Sequence, residues 1–130
     1  MRRLVRFSLA TMILCVPFQV AAQTRGPSNG SLVIVGGAMR DPGIMQRFLD
    51  LAGGPDAPIV VIPTAGGADE YDQFYQGLNA WRDQGATNLT VLHTKDRSQA
   101  ESDEFVRAIR EASGVWFPGG RQWHLADSYL

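Results

Sequence analysis

The chain has 130 residues, with 12 Lys+Arg against 13 Asp+Glu and a formal net charge of -1. That length suits a single domain. The balanced charge removes any electrostatic case for nucleic acid, and recurrent apolar runs in a chain that is 45% hydrophobic exclude disorder. A single cysteine excludes an internal disulfide framework and a Cys-rich zinc site.

Residues 1–22 have the layout of a secretory signal. Arg2, Arg3 and Arg6 precede an apolar stretch of 12 residues, Phe7 to Phe18, and Val20-Ala21-Ala22 supplies small residues before Gln23. The stretch is shorter than the ~20 apolar residues of a membrane span. The expectation is therefore an exported protein, periplasmic or extracellular, with no stable membrane insertion once the signal is cleaved. Cleavage leaves 108 residues, no cysteine, and nine basic against 13 acidic residues. Residues 23–30 read as a polar linker, and residues 31–130 as the folded domain.

Ser31-Leu-Val-Ile-Val-Gly36 is a continuous apolar run, as expected of a strand buried on both faces. Asp41-Pro42 reads as an N-cap followed by proline at the first helical position. Met45, Phe48, Leu49 and Ala52 then recur at helical spacing up to a capping Gly53. Pro58–Pro63 is the second expected strand. Asp69–Gln84 is the second expected helix, with Tyr71, Phe74, Leu78 and Trp81 as its apolar stripe. Leu89–His93 is the third strand. Ser98 and Glu101 suggest a capping box, leading to a helix whose inner face is Phe105, Val106, Ile109 and Ala112. Gly114–Phe117 is the fourth strand, and Gln122–Leu130 opens a fourth helix. Trp81, Trp116 and Phe117 read as core.

Short buried strands alternating with amphipathic helices predict an α/β fold, a parallel sheet covered on both faces. All strand C-termini then share one edge, where ligands bind. Four loops meet there: Gly36-Gly37-Ala38, Thr64-Ala65-Gly66-Gly67, His93–Asp96 and Pro118-Gly119-Gly120-Arg121-Gln122. Paired glycines leading toward helix N-termini suit an anion or an oxyanion, although strand-to-helix turns also use glycine for their own geometry. The last helix has no stop signal, and four strands would leave open edges, so the chain reads as stopping mid-fold.

No phosphate-binding consensus is present, so no nucleotide cofactor is expected. Of Ser28, Ser31, Ser98, Ser102, Ser113 and Ser128, none lies in a Gly-x-Ser-x-Gly elbow. His93 closes a strand on the ligand edge, where a hydrogen-bonded or surface histidine is the ordinary reading. His124 reads as solvated. Two histidines 31 residues apart with no cysteine partner make no metal site.

Ser31–Gly37, Ile59-Val-Val-Ile-Pro-Thr-Ala65 and, most specifically, Phe117-Pro-Gly-Gly-Arg-Gln122 resemble the cyanophycinase and dipeptidase E family of serine peptidases. The resemblance spans about residues 31–130. It implies a flavodoxin-like three-layer sandwich like that of class I glutamine amidotransferases, truncated here after about four strands. It also implies a serine nucleophile in an elbow after the next strand, with His and an acidic residue later still. No catalytic residue then lies within these 130 residues, and the chain alone is expected to be inactive. The resemblance places the Gly119-Gly120 backbone at the oxyanion. It places Gln122, Arg121 and Gly37 on the substrate side, and a peptide substrate cleaved near acidic residues. Arg121 departs from the Asp common there in cyanophycinases. A homodimer of a longer protein is a further expectation from the resemblance. Two other readings of the same fold are a non-catalytic binding or scaffold protein and a Cys-dependent amidotransferase-like protein.

Overall fold

A computed structural model describes residues 29–130; the signal reading of 1–22 and most of the 23–30 linker lie outside the described residues. Helix α1 spans Pro42–Ala52. It starts where expected, because the Asp41 carboxylate accepts from the Gly43 N–H at 2.8 Å. It stops at Gly53 in the left-handed region, with the Gly54 N–H closing onto the Leu49 carbonyl at 2.8 Å.

Three strands form the sheet: β1 Ile59–Val61, β2 Leu89–Val91 and β3 Gly114–Trp116. All are parallel, in the order β2-β1-β3, with Val61 level with Val91 and Trp116. Between β1 and β2 lie a 3₁₀ turn at Pro63–Gly66, another at Gln76–Leu78, and α2 at Asn79–Asp83. Helices α3 (Arg97–Ala100) and α4 (Asp103–Glu111) precede β3, and α5 (Gln122–Tyr129) follows it. The expected α/β fold with a parallel sheet therefore holds.

The core follows the period-2 rule of a strand. Ile59 and Val61 join Met45 and Leu49 of α1, Leu78, Trp81 of α2, Ala86 and Val91 in one cluster. Phe48, Trp81 and Trp116 meet edge to face at 5.1–5.3 Å, locking α1, α2 and β3 together. Val60 lies in the same small cleft as Ala108 and Ala112, on the side of α4.

Several expectations are corrected. Ser31–Gly36 is not a strand: among the described residues no backbone hydrogen bond joins it to a neighbour. The run lies beside β3 with Val33 and Val35 half-buried, while Leu32 and Ile34 are 83% and 85% exposed. An apolar run records a tendency to be buried; it does not choose a hydrogen-bonded partner or a register. The order is accordingly α-β-α-β-α-α-β-α with three strands, and each strand is shorter than its apolar run.

The helix expected over 69–84 is largely irregular. The Asp72 carboxylate accepts from the Phe74 N–H at 2.9 Å, a local turn that competes with helix. The Gln73 amide leaves the segment altogether. Its Nε2 donates to the Val91 carbonyl and its Oε1 accepts from the Val91 N–H, both at 3.0 Å. This side chain occupies the outer edge of β2 as a neighbouring strand would. Phe74, assigned to the apolar stripe, is 86% exposed, and Phe117 is 52% exposed rather than core. The Ser98–Glu101 capping box is replaced by two caps. Asp96 accepts from the Ser98 N–H at the start of α3, and Ser102 accepts from the Phe105 N–H at the start of α4. Of the expected inner face of α4, Phe105 is buried while Ile109 is 36% exposed.

Candidate functional site at the C-terminal edge of the sheet

Three chain segments leave the sheet at the C-terminal ends of its strands: the turn after β1, the loop after β2 and the glycine turn after β3. The first and third interlock. The Arg121 N–H donates to the Ala65 carbonyl at 2.8 Å. A Cβ on Gly120 would collide with that same carbonyl group and stand 2.9 Å from the Gly66 nitrogen. The φ of Gly120 is 158°, a value that L side chains rarely adopt, so the backbone angle and the close approach both call for glycine here. A Cβ on Gly119 would meet nothing within 4 Å. Among the described residues, the N–H groups of Gly119 and Gly120 make no intrachain hydrogen bond.

The five residues singled out from the sequence are only partly gathered. Gly37 sits at a bend beside Ala38, whose φ is 57°, and lines a groove of about 650 Å³ with Gly119 and Gly120. Gln122 faces elsewhere, into an apolar cleft of about 580 Å³ between α4 and α5, with Phe105, Phe117 and Leu125. Arg121 is exposed, and its guanidinium lies 5.4 Å from the centre of the Trp123 ring.

The buried polar centre of this edge is a residue the sequence reading did not single out. Thr64 is fully buried in the turn after β1. Its hydroxyl stands 2.7 Å from Nδ1 of His93 and 2.7 Å from the hydroxyl of Tyr129. His93 Nε2 is 3.2 Å from the Asp69 carbonyl. A carbonyl can only accept, so Nε2 carries the proton and neutral His93 accepts at Nδ1 from the Thr64 O–H. Thr64 in turn accepts from the Tyr129 O–H. Each member is satisfied, and the chain crosses from β2 through the turn after β1 to α5. A clue was present: Thr64 is the one hydroxyl residue in the run Ile59–Ala65, and a hydroxyl at the end of a buried strand must find a partner.

A hydroxyl, an imidazole and a third oxygen in series are also the outline of an activated nucleophile. Here that outline is structural, since Thr64 has no exposed surface for a substrate to reach. His93 borders a polar cleft of about 660 Å³ with Asp69, Glu70, Tyr71, Asp72, Tyr75, Lys95 and Asp96. Burial holds its pKa below the ordinary imidazole value, with the Lys95 charge acting in the same sense and the Asp69 carbonyl opposing. Lys95 donates to the Asp69 carboxylate at 2.7 Å, and this bond and charge lower the pKa of Asp69. Desolvation raises Tyr75. Bonds from Ser98 lower Asp96. His124, expected to be solvated, is half-buried with its ring against Gly67. Ser98 and Ser102 serve as helix-start residues and Ser128 is buried. No cluster of three or more metal-ligating side chains occurs among the described residues, and none of their helices is long and apolar enough to cross a membrane.

No family model matches the chain. It is 31% identical over 105 residues to a cyanophycinase of Geminocystis herdmanii, covering 75% of this chain and 36% of that protein. It is 29% identical over 119 residues to cyanophycinases of Synechococcus elongatus and Thermosynechococcus vestitus, covering 88% of this chain and 36% of each. The chain thus spans about a third of the length of the curated relatives it matches.

Proposed function

From a chain that is cyanophycinase-like over at least three quarters of its length, we propose that the glycine turn after β3 is the oxyanion and substrate-docking part of an exported serine-type peptidase site. The observation that carries this reading is the pair of N–H groups at Gly119 and Gly120 that find no acceptor among the described residues and line one groove with Gly37. Such donors, aimed at a carbonyl that gains charge, are each worth ~10²–10³ in rate. Beside them, the exposed Arg121 guanidinium offers a two-pronged partner for a carboxylate. That chemistry favours a peptide with an acidic residue near the scissile bond. In this reading the nucleophile and its base are supplied by other segments, because among the described residues no serine has a histidine partner. The chain by itself then binds and does not cleave.

The test is amide NMR of the 130-residue chain titrated with an aspartyl dipeptide, alongside a turnover assay with the same peptide. The expected result is shifts at Gly119 and Gly120 that weaken in Arg121→Gln, with no turnover. Absence of shifts at millimolar peptide would overturn the docking role. Turnover that depends on any of the six serines after residue 22 would overturn the assignment of the nucleophile.

A further inference from the structure

The two outer edges of the sheet are finished differently. On β2, the Gln73 amide bonds both the N–H and the C=O of Val91 and closes that edge. On β3, the Gly114 N–H donates to the Pro58 carbonyl at 3.3 Å, and the Trp116 carbonyl accepts from the Ile62 N–H at 2.9 Å. Peptide groups alternate in direction along a strand. Those of Gly114 and Trp116 therefore face β1, and those of Val115 point outward. Among the described residues, the Val115 N–H and C=O and the Phe117 N–H find no backbone partner on that side.

Beyond this edge lies the groove of about 650 Å³ that continues to Gly119 and Gly120. Its far wall is the run Ser31–Met39. Nothing that lines the groove carries a charge, while Arg40 and Arg121, the residues that follow its two walls, are both exposed.

We propose that the outer edge of β3 takes an extended peptide as an added strand, its main chain paired with Val115 and one end at the Gly119–Gly120 turn. The unmet groups on Val115 are one donor and one acceptor of a main chain, the complement of another main chain in extended form. The run Ser31–Met39 does not take the edge itself, since none of its backbone groups bonds to β3. It does stand across the groove, so the sheet of a second copy would have to displace it to reach β3. A single added strand needs only ~4.8 Å beside the edge. An uncharged groove flanked by two arginines suits a peptide that carries a carboxylate toward one end. At ~3.3 Å per residue, about four residues run from Val115 to the turn. A dipeptide reaches the turn and not Val115. That the peptide presents its scissile carbonyl to Gly119 and Gly120 rests on the peptidase reading above; the pairing with Val115 does not.

The test is amide exchange and NMR titration of the 130-residue chain with a capped four-residue peptide holding one aspartate. The Val115 N–H should exchange freely without peptide and at least about tenfold more slowly at saturation. Two analogues N-methylated at adjacent residues separate the peptide N–H groups that face β3 from those that face away. One should bind about three- to tenfold more weakly than the other, the equivalent of one hydrogen bond. Val115→Pro removes the outward N–H without costing an intrachain bond, a substitution that edge strands accept, and should weaken binding of the parent peptide to a similar degree. Where that variant does not fold, the analogue pair on the unaltered chain still decides. Protection of the Val115 N–H before peptide is added would overturn the proposal. Protection independent of chain concentration would assign the edge to residues 31–35, and protection that rises with concentration would assign it to a second copy. Equal binding of the two analogues would overturn it as well. Peptide-induced shifts at Gly119 and Gly120 with Val115 unmoved would remove the added strand and leave the docking role; shifts at Val115 alone would do the reverse. No binding at millimolar peptide would overturn both.

Discussion

Adding one methyl group at Gly120 tests the interlock between the two turns. The Cβ of Gly120→Ala would fall on the Ala65 carbonyl, which also receives the Arg121 N–H, so neither backbone can move without breaking that bond. Forced overpacking of this kind costs about 1–3 kcal/mol, and in a domain of this size that lowers Tm by roughly 5–20 °C. Gly119→Ala is the internal control. It adds the same methyl one residue earlier into open space, so the change in chain entropy is similar while the collision is absent. From the strand-end placement and the resemblance, a Gly120 side chain would crowd a substrate or forbid a positive φ, or the turn would simply need glycine to fold; the structure shows it crowding Ala65. Thermal unfolding of both variants by circular dichroism separates the cases. Gly119→Ala should melt close to the unaltered chain and Gly120→Ala well below it. Equal melts would refute the close approach, and the need for glycine at 120 would then lie in binding.

Stability should fall as the pH drops below the ordinary histidine range. The folded pKa of His93 is lowered, so between the folded and unfolded values the unfolded chain binds more protons and is favoured; His93→Gln should flatten this part of a pH–Tm profile. Trp81→Ala should cost about 3–5 kcal/mol, since Trp81 is 2% exposed and touches both Phe48 and Trp116, whereas Phe74→Ala should leave the melt unchanged. Leu32→Ser with Ile34→Ser should raise solubility without lowering Tm, because both side chains face water; a drop of several degrees would mean that 31–36 pairs in the sheet. Gln73→Leu should lose the two bonds to Val91 and expose the edge of β2, read as a lower Tm together with concentration-dependent association.

Local chemistry determined those elements whose signals are local. Asp41-Pro42 and Gly53 bound α1 because a carboxylate cap and a left-handed terminus involve only neighbouring residues. The largely apolar runs at 59–62, 89–92 and 114–116 located all three strands, β1 most plainly, since its burial on both faces leaves its mark on every residue. Phe117–Gln122 was singled out through resemblance, and the strand–turn–helix order put it between β3 and α5, where it lies. Apart from the local turn at Asp72 and the local caps at Asp96 and Ser102, the misses depend on tertiary packing. Ser31–Gly36 is as apolar as β1, but only tertiary packing decides that β1 finds two neighbours and this run finds none. Gln73 looked like one more polar residue of a helix until Val91, 18 positions away, gave its amide a better use. Gln122 was placed on the substrate side with Gly120 by resemblance, yet the first turn of α5 aims it into a different cleft. Thr64, His93 and Tyr129 span 65 residues, and no spacing rule connects a hydroxyl to partners that distant. Only the parallel sheet, by bringing every strand end to one edge, made them a single hydrogen-bonded group.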